Sequence, residues 1–327
     1  MNELEVIRGI RLITDVCIGV APGEKVLCIA DRQEFFETLS LLASECIARG
    51  AEAAVVLIEP RRHYYDEPPS FVAHAMEKAD VVVVMAFGSL VHTEARRRAN
   101  AAGVKIAIMG EVTREFLMAF DLTKKQLLKV RAQTEAIVKR LSAAKSARLV
   151  TRAGTDLSMS LAGRTAVGLV PFVAKGTFCG VPGYAEAACA PVEESVEGVA
   201  VIDGTTLGTE DFEAVVQEPY QLKFKKGRIV SISGGKDARR LEALLAGMEK
   251  GARTFAELGI NSNFMVPKKL RGSRLDMAVG GHAHLGLGRN DHIGGKSKAE
   301  NHLDLMMTTA TLILDGKTIL EEGVLKI

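Results

Sequence analysis

Apolar residues recur at helical spacing near the start of the chain, at Leu4, Ile7, Ile10, Leu12, Val16 and Ile18. Pro22-Gly23 ends that pattern, so a helix is expected over residues 1–20. Beyond this break the chain alternates between two kinds of segment. Residues 25–30, 53–58, 81–85 and 105–109 are short, almost continuously apolar runs and read as buried strands. Between and after them, residues 34–49, 71–78, 90–102 and 116–144 carry helical periodicity, the last with a break near Asp121. A proline-rich loop is expected over 60–69. Continuously apolar strands alternating with helices predict a parallel sheet covered on both faces. Residues 1–145 are therefore expected to form a doubly wound α/β domain. The first strand is followed by no Gly-x-Gly-x-x-Gly, and there is no Walker loop, so no nucleotide site is read there.

The pattern changes after Ala144. Helical runs become scarce, and short alternating stretches predict strands over 148–152, 157–161, 199–203, 220–224 and 228–231. Residues 237–258 read as the one clear helix of this half. Final strands are expected over 306–315 and 318–325, with Lys225-Lys226-Gly227 and Asp315-Gly316 as turn signals. The second half, 146–327, is expected to be an α+β domain that carries the chemistry.

Composition narrows the function classes. The 327-residue chain is 47% hydrophobic and 25% charged, as a globular protein with a sizeable core should be. The 42 basic and 40 acidic residues leave a net charge of +2, which supports neither a nucleic-acid partner nor an anionic membrane surface. The acidic start Met1-Asn-Glu-Leu-Glu is not that of an export signal, and the longest apolar run, 81–87, is too short to span a bilayer. Five widely spaced cysteines in mostly apolar surroundings are read as buried, reduced thiols of a cytoplasmic protein. Cys189 is the possible exception, because it lies near a candidate site.

The candidate chemistry concentrates late in the chain. Of seven histidines, His282, His284, His292 and His302 fall within residues 281–304, and Asp304 follows His302 by two. Side chains two apart on a strand share a face, so His302 and Asp304 point together, as do His282 and His284. Two short strands can thus bring imidazoles and a carboxylate to one point, a ligand set for zinc, iron, manganese or cobalt. A glycine-rich polar loop, 286–295, joins them. Two lone carboxylates stand out elsewhere. Glu186 sits among Ala185, Ala187, Ala188, Cys189 and Ala190, and is either a strand-edge residue facing water or one held by a partner. Glu257 lies between apolar neighbours at what reads as the end of a helix.

These residues carry a resemblance. Glu186 with Ala190-Pro191 and Ser195-Val-x-Gly198, Glu257-Leu-Gly-Ile, His284-Leu-x-x-Gly288 and Ser297…His302-Leu-Asp304 occur in this order. The series resembles the aminopeptidase T/aminopeptidase S/PepS family of two-metal exopeptidases, over the whole second half. The resemblance implies that Glu186, Glu257, His284, His302 and Asp304 are metal ligands, with Glu186 also catalytic. It implies a metalloaminopeptidase that uses zinc, cobalt or manganese. Two departures bear on this. The family's tyrosine after the His284 position is absent, with Asp291 or His292 in its place, and the chain is short for the family. The shorter length is similar to a sister branch, the ring-cleaving 2,5-dihydroxypyridine dioxygenases. These hold a single iron(II), for which His284, His302 and Asp304 alone would make a two-His-one-carboxylate set. The partners expected are a small-molecule or short-peptide substrate and a second copy of the chain, with no nucleic acid and no membrane.

Overall fold

A computed structural model describes residues 3–61, 66–87, 90–110, 112, 117, 122–209, 211–266 and 268–327. The chain folds into two compact units, Met1–Arg131 with Leu169–Tyr184, and Ala132–Gly168 with Ala185–Ile327.

The first unit is built on a parallel sheet. Its strands lie in the order Glu52–Leu57, Lys25–Ala30, Val81–Met85, Lys105–Ile108, Phe178–Gly180. The chain starts in the middle and winds outward both ways, so the sheet is doubly wound. Every residue of Val81–Met85 is buried, which requires cover on both faces. On one face Val82, Val84, Ile106 and Ile108 pack with Val72, Ala73 and Met76 of helix Ser70–Lys78 and Ala95 and Ala99 of helix Glu94–Ala101. The fifth strand comes from residues 169–184. A single break after residue 145 does not anticipate that return, because Phe178-Cys179-Gly180 is too short to show a period.

Two helices differ locally from the sequence reading. The N-terminal helix is regular over Glu3–Arg11 and turns π-helical over Leu12–Ile18, ending at Gly19 with φ +62°. The helix expected over 116–144 is seen as Lys124–Ala143; Phe116 and Asp121 lie outside the described residues, as does part of the 60–69 loop.

The second unit is a pair of largely antiparallel sheets. The eight-stranded one runs Arg228–Ser233, Tyr220–Lys225, Glu197–Ile202, Asp156–Ser160, Ser146–Thr151, Ala310–Leu314, Lys317–Glu321, Val324–Leu325. The seven-stranded one runs Ala214–Val215, Thr205–Leu207, His302–Met307, Ala283–Gly288, Phe255–Asn261, Glu186–Cys189, Val167–Leu169. A single buried cluster draws Leu149, Leu157, Leu222 and Leu312 from the first sheet and Ala187, Leu258, Leu285 and Leu305 from the second. The sheets therefore close on a shared apolar interior.

Two expectations for this unit are corrected. The helix expected over 237–258 stops at Ala246, and after a short 3-10 turn the chain becomes the strand Phe255–Asn261, buried throughout. A short segment buried on both faces carries no period that separates helix from central strand, and here pairing on both edges decides. The strand expected over 306–315 is two strands in different sheets. The chain changes sheet at Thr308-Thr309, where Asp203 accepts from the Thr308 amide at 2.7 Å and its hydroxyl at 2.6 Å.

Candidate metal centre

The register of the seven-stranded sheet sorts its side chains onto two faces. Gly259 pairs with His284, which pairs with Met306; Glu257 pairs with Gly286, which pairs with Asp304; Asn261 pairs with Glu186; and Gly288 pairs with His302. Directly opposed residues share a face. Glu186, Glu257, His284, His302 and Asp304, spread over 119 residues of sequence (304 − 186 + 1), therefore project from one side of four adjacent strands. The alternate residues Ala187, Cys189, Leu258, Ile260, Leu285, Leu287, Leu303 and Leu305 lie in the apolar core. The period-2 alternation that buries one face of each strand thus aims the chemistry at the other.

Glu186, Glu257, His284 and His302 are buried, and the Asp304 side chain is 17% exposed. His284 Nε2 lies 3.5 Å from Glu257 Oε1 and 3.7 Å from Glu186 Oε2. His302 Nε2 lies 3.3 Å from Glu257 Oε2 and 3.1 Å from Asp304 Oδ1. The donors fall into two groups joined by Glu257: Glu186, Glu257 and His284, and Glu257, His292 and His302, with the ligand atoms of each group within 4.8 Å of one another. Asp304 stands beside the second group, its Oδ1 3.1 Å from His302 Nε2.

Two glycines give the imidazoles room. A Cβ on Gly259 would stand 2.1 Å from both Cε1 and Nε2 of His284. One on Gly286 would stand 2.8 Å from Glu257 Cβ and 2.9 Å from His302 Cε1. The rings lie over bare backbone. Each ring is also held from behind. Asn261 Oδ1 is 2.8 Å from His284 Nδ1, and the Arg289 carbonyl oxygen is 2.8 Å from His302 Nδ1. With both Nδ1–H groups donating outward, each Nε2 faces the carboxylates, the orientation a metal-binding imidazole needs.

Electrostatics point the same way. Burial disfavours a charged His284, but the Glu257 hydrogen bond and the Glu186 and Asp304 charges outweigh it and raise the imidazole to about 9. Burial is likewise overcome at His302 by Asp304 and Glu257, which raise it well above its usual range. Burial would lift the Glu257 carboxyl, yet hydrogen bonds from His284 and His302 hold it well below the usual value. Three carboxylates facing two imidazoles carry excess negative charge away from water, which is costly without a cation. A divalent ion can take the place of the protons drawn onto the imidazoles, so the donor set fits a metal.

Other residues read from the sequence fall outside the cluster. His282 precedes the strand; its Nδ1 accepts from the Thr309 amide at 3.0 Å, and burial together with Lys268 keeps it below its usual pKa. It belongs to neither donor group. Cys189 faces the core, and burial pushes its thiol to about 11, so it is no nucleophile. The sequence assigns Asn261, Gly259 and Gly286 no role beside the imidazoles, although a polar Asn-Ser-Asn run closing a buried strand is a usable signal.

A family model of the 2,5-dihydroxypyridine 5,6-dioxygenases (NicX) matches residues 15–327. The chain belongs to the 2,5-dihydroxypyridine 5,6-dioxygenase family. The match takes in every member of the cluster. Among solved structures, the 2,5-dihydroxypyridine dioxygenase from Pseudomonas putida KT2440 superposes with a TM-score of 0.79 at 19% identity, over 100% of this chain and 98% of that one. Wild-type AmpT from Thermus thermophilus superposes with a TM-score of 0.71 at 17% identity, over 100% of both chains. At these identities the superpositions establish a common fold. A search of curated proteins gives no match. The sister branch named from the sequence is thus the family, and the aminopeptidase branch shares its fold. Among the described residues, no helix is long and apolar enough to cross a membrane.

Proposed function

We propose that this chain is a non-haem iron(II) dioxygenase that opens a hydroxylated pyridine ring of the 2,5-dihydroxypyridine type. What carries this reading is that the dioxygenase family match runs through the whole buried cluster of imidazoles and carboxylates. His302, Asp304 and Glu257 would hold the ion, with His284 and Glu186 forming the adjoining half of the site. Imidazole and carboxylate donors suit iron(II). The bound iron would supply the one-electron chemistry that lets dioxygen react with an aromatic ring.

The residues of this chain do the rest. Asn261 and the Arg289 carbonyl fix the imidazoles with Nε2 inward. The apolar sheet behind the cluster keeps water from its rear face. The Glu186 carboxylate accepts the proton of a ring hydroxyl, making the ring more electron-rich before it is attacked. The overall reaction balances without another reductant. The C5–C6 bond breaks and each carbon gains one oxygen atom, so the hydroxyl-bearing carbon becomes a carboxylic acid and the carbon next to nitrogen an N-formyl group. Protein loaded with iron(II) without air, then given 2,5-dihydroxypyridine in aerated buffer, should consume one dioxygen per ring. No uptake at full iron occupancy rules the reading out.

One observation favours a second reading. Glu257 presents Oε1 to His284 and Oε2 to His302, as a carboxylate bridging two ions would. A two-metal aminopeptidase would bind two zinc, cobalt or manganese ions and release residues from unblocked aminoacyl substrates. No release with both positions filled removes it.

A further inference from the structure

We infer that His292 is a further metal-ligating side chain, adding a second imidazole beside His302, Glu257 and Asp304. The inference rests on the reading that the cluster holds a divalent ion, and it assigns the second imidazole to His292 instead of His284. The ligand atoms of Glu257, His292 and His302 lie within 4.8 Å of one another, whereas His284 gathers with Glu186 and Glu257. Ligands about 2.1 Å from an ion stand about 3.0 Å apart when adjacent and about 4.2 Å when opposite, so modest side-chain adjustment closes this group on one ion. The His292 and His302 rings meet edge to face, with centroids 5.3 Å apart and planes at 79°.

The loop that carries His292 is built to hold it there. The Arg289 carbonyl orients His302, so one loop sets both imidazoles. Asn290 pins the loop on two sides. Its Nδ2 donates to the Ala256 carbonyl at 3.0 Å, beside Glu257, and its Oδ1 accepts from the Ser297 amide at 2.8 Å. A Cβ on Gly295 would stand 2.1 Å from Asn290 Oδ1, so a side chain there would dislodge this anchor. Arg289 is paired with Asp291 at 2.6 Å, and Arg164 donates to the Gly294 carbonyl at 2.7 Å. His292 therefore reaches the cluster from an anchored turn, Asp291–Ile293.

The competing role is packing, and H292F separates the two. Phenylalanine keeps an edge-to-face ring against His302 and removes the nitrogen donors. The parent, H292F and H292A should be stripped of metal and titrated with cobalt(II) against a competing chelator, recording the visible d–d spectrum. The inference expects H292F and H292A to weaken cobalt binding alike, by at least about 10-fold, the lower end of what losing even a supporting partner costs. It also expects both to alter the spectrum. If H292F matches the parent in affinity and spectrum, His292 is a packing residue and the inference fails while the metal reading stands. If the parent itself binds no cobalt, both fall.

Discussion

Gly259→Ala tests the geometry of the cluster through a single methyl group. The new Cβ would stand 2.1 Å from Cε1 and Nε2 of His284. Carbon contacts settle at about 3.5 Å or more, so the ring must retreat by roughly 1.4 Å. It has little room to do so, because His284 is 1% exposed and its strand is paired on both sides. Overpacking of this kind costs about 1–3 kcal/mol of folding stability. The retreat also breaks the 2.8 Å link between Asn261 Oδ1 and His284 Nδ1, and a buried donor left unpaired costs a further 1–3 kcal/mol or so. A displacement of about 1 Å in a reacting site typically lowers turnover by about 100-fold. Urea unfolding, metal content and oxygen uptake should be measured beside Gly247→Ala. Gly247 has φ −83°, and its nearest contact for a Cβ is an ordinary 3.8 Å to the Leu244 carbonyl oxygen, so that control should behave like the parent. Parental stability and turnover in Gly259→Ala would refute the placement of the His284 ring.

Asn261→Ala should weaken metal binding by about 10–100-fold, because it frees His284 to rotate; titration with a metal-sensitive dye checks this. His302→Ala and Asp304→Ala should each abolish activity and most metal binding, because Asp304 Oδ1 stands 3.1 Å from His302 Nε2, while His282→Ala, whose Nδ1 is taken by the Thr309 amide, loses far less; equal metal loss in all three contradicts the assignment. Since His284 is raised from 6.5 to about 9, its imidazolium stabilises the metal-free protein fully below about pH 6.5, and that contribution fades as pH rises through about 9. Between about pH 6 and pH 10 the metal-free parent should therefore lose more stability than His284→Gln, and a smaller loss in the parent contradicts the raised value. Asp276→Ala should destabilise the fold by about 3 kcal/mol or more, because this buried carboxylate accepts from the Arg271 and Gly272 amides and the Thr205 hydroxyl; an unfolding midpoint like the parent's would refute it.

The sequence revealed most where a period and a residue type agreed. The parallel strands of the first unit are continuously apolar because both faces are covered, and that signal is local. The hairpin turns at Lys226-Gly227 and Asp315-Gly316 were legible for the same reason, since all four residues have positive φ. His302 and Asp304 could be placed on one face from spacing alone. Glu257 could not be placed, because its strand is short, wholly buried and preceded by a true helix. What remained hidden is non-local. The two-group arrangement depends on the register of four strands, and the room for the rings depends on Gly259 and Gly286, glycines that do not stand out in a chain with 31. His292 stood in plain view, but nothing in its spacing tied it to Glu257, which lies 35 positions earlier (292 − 257).

Ring opening by the iron-loaded protein is read from oxygen consumption. Full-length protein, stripped of metal and reloaded with iron(II) under nitrogen, should be mixed with 2,5-dihydroxypyridine in air-saturated buffer on an oxygen electrode. The expected result is one dioxygen consumed per ring, with loss of the ring's ultraviolet absorbance and no such uptake in His302→Ala. Iron-loaded parent protein that leaves both oxygen and ring untouched would contradict it.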